Sequence, residues 1–178
     1  MDTKKLKELI EQNDVSGLSK VIFNQHYDHS SEHGYTYPLG AENEALAVKQ
    51  MLQTQSAEWY KFLSRYQQHY PLSALADDEL ADNAAENVQA RELLLAGMEK
   101  YGCTPTLAAH LCRFFMTAQA DGSELIAAVC TNSRIRSLEV RALLERLADR
   151  EHTACPDKNP PQYLKLYDKS INGYRNRV

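Results

Sequence analysis

Apolar residues recur in this chain at steps of three, four and seven, and that spacing sets the class of fold it can adopt. The longest example lies between residues 42 and 70, where Val48, Met51, Leu52, Trp59, Phe62, Leu63, Tyr66 and Tyr70 follow one another at helical intervals. An α-helix turns about 100° per residue, so these side chains line one face, and that face must be buried. No segment makes a convincing case for a strand. The sequence also has only 7 Gly and 6 Pro in 178 residues, too few for the tight turns of an all-β fold.

Extending this reading along the chain gives an all-α fold of about eight helices, packed as an irregular bundle or a short helical stack in a single domain over residues 1–178. A short first helix carries Leu6, Leu9 and Ile10, with Asp2 or Thr3 as its N-cap. A second runs over 15–33, a loop over 34–41, and then come long helices over 42–70 and 78–101. Gly102 suits the position just past a helix end, where a left-handed backbone is common. Thr104 followed by Pro105 is an N-cap with proline at the first helical position. Ser123 and Ser137 are expected to cap two further helices. A proline-containing linker over 154–161 precedes a last helix bearing Tyr163, Leu164, Tyr167 and Ile171, and the tail "GYRNRV" is expected to fray.

Composition narrows the function classes. The apolar fraction of 43% allows a real core without disulfides, and no apolar run approaches the roughly 18 residues a membrane span needs. The first residues, "MDTKKLKELI", carry no apolar secretory segment, and Cys103, Cys112, Cys130 and Cys155 show no CxxC spacing, so reduced thiols in a cytoplasm are expected. The net charge of −4 is unevenly spread: residues 1–90 hold 14 acidic and 7 basic groups, residues 91–178 hold 10 acidic and 13 basic. The densest acidic block is "DDELADNAAE", with Asp77, Asp78, Glu79, Asp82 and Glu86. No GxGxxG, GxxxxGK[ST] or GxSxG is present, which leaves the common nucleotide-binding and hydrolase chemistries without their motifs.

The stretch "QHYDHSSEHGY", residues 25–35, concentrates three of the six histidines. On a helix continued from Val15, His26, His29 and His33 fall on the same side as Leu18 and Ile22, and Gly34 closes it. Imidazoles in the last turns of a helix interact well with its negative end, so an ordinary helix end accounts for the pattern without metal. The same geometry suits zinc, because His29 and His33 are four apart and can reach one ion. The "HSSEH" pattern resembles the inverted zinc motif, H-x-x-E-H, of the pitrilysin and insulysin peptidases. That resemblance implies His29 and His33 as ligands, Glu32 as the base that takes a proton from zinc-bound water, and a downstream Glu such as Glu92 or Glu99 as third ligand. In a non-catalytic site His26 would be the third ligand.

Other constellations are weaker. His110 and Cys112 lie two apart on one helix and so face different ways; His152 and Cys155 sit beside the proline linker. Residues 123–149 have the outline of a helix-turn-helix with Arg134, Arg136, Arg141, Arg146 and Arg150 available to phosphates. The segment "DGSELIAAVCTNSRIRSLEVRALLERLAD" also faintly resembles an ankyrin unit, which implies two packed antiparallel helices. Tyr35 and Tyr37 in the loop are amphipathic side chains of the kind enriched at interfaces. Together these features favour a non-catalytic protein-binding module, such as a small acidic adaptor, inhibitor or immunity-type protein. Its partner would be another protein, and Tyr35, Tyr37, Asp77, Asp78, Glu79, Asp82 and Glu86 would meet it, with no cofactor. A zinc-dependent hydrolase is the alternative, and a nucleic-acid-binding regulator is the third reading.

Overall fold

The computed structural model describes residues 3–23, 39–157 and 162–177. Among these the chain forms ten helices and no strand: α1 Thr3–Glu11, α2 Val15–Phe23, α3 Ala41–Thr54, α4 Ala57–Gln67, α5 Ala74–Asn83, α6 Val88–Tyr101, α7 Pro105–Thr117, α8 Ser123–Asn132, α9 Leu138–Ala154 and α10 Tyr163–Arg175. The fold is therefore all-α, as the periodicity requires. The count exceeds eight because two of the expected long helices are each broken in two.

Both breaks have a local cause. Residues 42–70 divide at Gln55, whose left-handed backbone (φ 49°) ends α3, and at Ser56, whose hydroxyl accepts the Glu58 N–H and so opens α4. Residues 78–101 divide at Asn87, whose side chain accepts the Ala90 N–H at 3.0 Å and opens α6, while the preceding helix begins earlier, at Ala74. The caps at Thr104 and Ser137 form as expected, accepting from Leu107 N and Val140 N. Ser123 is not a cap: it is the first residue of α8, and its N–H is bonded to the Asp121 carboxylate instead. The tail "GYRNRV" also departs from expectation, since α10 continues through Arg175.

The chain divides into two compact units, Met1–Leu80 and Ala81–Val178, with the division inside α5. In the first unit α1 packs on α2 and α3, and α4 packs on α2 and α3. Its core is built around the fully buried Trp59, Tyr66, Met51 and Leu18. Asn13 links α1 to α2 with a left-handed backbone, a conformation asparagine tolerates, and its side-chain oxygen accepts the Trp59 indole N–H. The core also encloses a carboxylate. Glu44, with no exposed surface, accepts from the Tyr66 hydroxyl at 2.6 Å and from Ser73 N at 2.8 Å. Those two bonds supply the partners that a buried charge requires.

In the second unit α8 is central and packs on α6, α7 and α10, while α9 packs on α7 and α10. The helix-turn-helix and ankyrin outlines both need α8 and α9 as each other's main partner, and that arrangement is not adopted. Val140, Leu143, Leu144 and Leu147 of α9 are buried against these neighbours. Arg141 pairs with Asp168 at 3.5 Å, and Arg150 reaches the carbonyls of Phe115, Met116 and Ala118 at the end of α7. Two of the five arginines expected to meet phosphates thus hold the fold together instead.

Candidate functional site

The histidine stretch, with His26, His29, Glu32 and His33, lies outside the described residues, as do Tyr35 and Tyr37. Among the described residues no group of three or more His, Cys, Asp and Glu side chains could hold a metal ion. No helix there is long and apolar enough to cross a membrane.

The acidic block does not form one solvated face. In the first unit Asp77, Asp78 and Glu79 are partly buried, and Glu79 pairs with Lys49 at 2.8 Å. Burial, helped by the nearby Asp78 and Glu44 carboxylates, pushes the Asp77 carboxyl up to about 7. In the second unit Asp82 and Glu86 are exposed, and Asp82 meets His110 Nε2 at 2.8 Å.

The buried cysteines are poorly placed as nucleophiles. Cys112 and Cys130 are fully buried, and that burial pushes both thiols up to about 12, which leaves them protonated at neutral pH. Cys103 is also buried; Cys155 is exposed, and so is His152.

A concave surface lies in the second unit, where the end of α8 and the loop after it meet α10. The loop is stitched to the helix at two points. The Ser170 hydroxyl lies 2.8 Å from the Thr131 carbonyl and 3.0 Å from the Ser133 carbonyl. The Tyr167 hydroxyl accepts from Ser137 N and donates to the Ile135 carbonyl. The loop also pairs with the chain after α6, where Cys103 N donates to the Asn132 carbonyl at 3.0 Å. With its carbonyls satisfied in this way, the loop turns Arg134 outward, against Gly102 and towards the Tyr174 ring.

The result is a groove of about 700 Å³ whose lining includes Arg134, Leu166, Lys169, Gly173, Tyr174 and Arg177. Three of the lining side chains are cationic, and none is a carboxylate, histidine or cysteine. The Ser170 hydroxyl is engaged with carbonyls. The groove offers positive charge, an aromatic ring and an aliphatic side chain. A smaller hollow of about 380 Å³ in the first unit has mixed charge instead, with Glu58 beside Lys61 and Arg65.

Of the groove residues, only Arg134 was among the candidates read from the sequence. A signal for the others was present. Leu166, Lys169, Ser170, Gly173, Tyr174 and Arg177 are spaced by one, three and four, which puts them on one helix face. The buried stripe of Tyr163, Tyr167 and Ile171, on the adjoining face, is the stronger signal on this helix.

No protein-family model, no curated protein and no solved structure matches the chain.

Proposed function

We propose that this chain is a non-catalytic protein-binding module, of adaptor, inhibitor or immunity type, acting in the cytoplasm, and that its partner seats on the α8–α10 groove. One observation carries the reading: a groove of about 700 Å³ lined by Arg134, Lys169 and Arg177 with Tyr174 and Leu166. Grooves of this size with a few convergent polar groups are ordinary recognition sites. Arginine and tyrosine are also the side chains that most often carry interface energy. The four free thiols fit a reducing compartment.

A photo-crosslinking residue placed at Leu166, which lines the groove, tests this against the same residue at Glu92, which is exposed on α6 of the same unit. In extracts of the source cell, a discrete protein adduct that forms through position 166 and not through position 92 is the expected result. Equal, diffuse labelling at both positions would remove the groove from consideration.

A further inference from the structure

We infer that the groove takes an acidic segment of the partner protein, one in which carboxylates alternate with bulky apolar side chains; this rests on the protein-binding reading of the groove. The first argument is charge. Arg134 and Arg136 on the loop, and Lys165, Lys169, Arg175 and Arg177 on α10 and its tail, are all exposed. Among the described residues none of the six forms an ion pair. Among the described residues of these two segments the one acidic side chain, Asp168, is paired with Arg141 at 3.5 Å. A chain with net charge −4 therefore keeps an uncompensated cationic surface at one place in its second unit. Charge of one sign lining a concavity concentrates and steers ligands of the other sign.

The second argument concerns which anion. Arg134 is held against the Tyr174 ring, its guanidinium carbon 5.7 Å from the ring centroid. The N–H edge of a guanidinium matches a carboxylate or phosphate in a two-point fork. Phosphate chemistry alone leaves the apolar surface unexplained. Leu166 and Tyr174, 37% and 44% exposed, line the groove, and the adjoining loop and helix start present Ile135 and Leu138 at 63% and 79% exposure. A sugar-phosphate backbone gains little from aliphatic side chains, whereas a polypeptide brings its own to cover them. A lipid headgroup layer is flat, and this surface is concave. Carboxylates beside apolar side chains on one polypeptide satisfy the charge, the apolar lining and the shape together.

The test uses the full chain and a fluorescein-labelled peptide of leucines interleaved with glutamates, read by anisotropy. Its comparators are the same peptide with glutamine for glutamate, a glutamate-only peptide, a single-stranded oligonucleotide, and vesicles of phosphatidylcholine and phosphatidylserine. The leucine–glutamate peptide should bind best. Its binding should weaken with added salt and fall by about tenfold or more in the combined Arg134→Glu, Lys169→Glu, Arg177→Glu variant. A second variant, Gly173→Trp, fills the groove without changing a charge and should also weaken it; a Cβ at Gly173 meets nothing within 4 Å, and a melting curve checks that the variant folds. The inference is overturned if the glutamine peptide binds equally well, if the charge reversal leaves binding unchanged in a protein that melts normally, or if the oligonucleotide or vesicles bind more tightly. Should the adduct through position 166 survive the charge reversal, the acidic chemistry falls and the protein-binding reading stands. Should no adduct form and no peptide bind, both fall.

Discussion

The Arg134 guanidinium lies over the Tyr174 ring, and on its other side the arginine chain runs past Gly102. The residue after α6 and a ring on α10 thus flank one exposed cation. The glycine is what permits it: Gly102 adopts φ +86° and ψ 166°, a backbone region open almost only to glycine, and a Cβ there would come within 3.0 Å of Arg134 Nε. Gly102→Ala should therefore destabilise the protein by about 1–3 kcal/mol. It should also displace Arg134, seen as a changed Tyr174 ring environment by NMR. A melting curve and spectrum that match the parent would contradict this.

Glu44 is the one fully buried carboxylate among the described residues, and both of its oxygens accept. In Glu44→Gln one oxygen becomes an amide that can only donate, so either the Tyr66 hydroxyl or the Ser73 N–H loses its acceptor. Leaving a buried donor unpaired costs about 1–3 kcal/mol, and chemical denaturation should show a loss of that size. Glu44→Ala, which removes both acceptors, should cost more. If the glutamine variant is as stable as the parent, the two bonds do not matter as argued.

Asp77 sets a pH dependence whose sign is opposite to that of a salt-bridged aspartate. Its carboxyl is pushed from an ordinary value of 3.8 up to about 7, by burial first and then by Asp78 and Glu44. Between those two values the folded chain keeps a proton that the unfolded chain has lost. Stability from this group is therefore highest at low pH and falls as pH rises through the window, reaching its full penalty above about 7. The slope for one proton is at most about 1.4 kcal/mol per pH unit. Asp77→Asn should flatten that part of the curve and raise stability at alkaline pH. An unchanged pH profile in the variant would show that Asp77 does not carry it.

The thiols should divide three to one. Cys103, Cys112 and Cys130 are buried and Cys155 is exposed. A thiol reagent applied to the native protein should modify Cys155 promptly and the other three only on unfolding. In Cys155→Ser the fast phase should vanish. Rapid modification of Cys112 in the folded state would reopen the possibility of a cysteine nucleophile.

Periodicity made the helical class legible, because one buried stripe per helix leaves the same mark wherever it occurs. The strongest caps, Thr104 with Pro105 and Ser137, were legible for the same reason: each is a local device that works through its own next turn. The breaks at Ser56 and Asn87 were harder to see. Apolar spacing continues across both, and only a single side-chain cap distinguishes two helices from one. The groove was the least legible feature. Its charge is spread over residues 134, 169 and 177, which come together only because α10 folds back onto the end of α8, and no local pattern encodes that return. The "HSSEH" motif made the opposite impression, being vivid over five residues.

Closing the groove without touching its charge tests the binding role most directly. Gly173 sits in α10 with open space where a side chain would begin, so Gly173→Ala and Gly173→Trp should both fold, and alanine should stabilise the helix by about 1 kcal/mol. The measurement is the yield of partner adduct through the crosslinker at position 166 in each variant. Alanine should leave the yield near that of the parent, and tryptophan should reduce it severalfold or abolish it. An adduct that forms equally well with tryptophan in the groove would contradict the claim that the partner binds there.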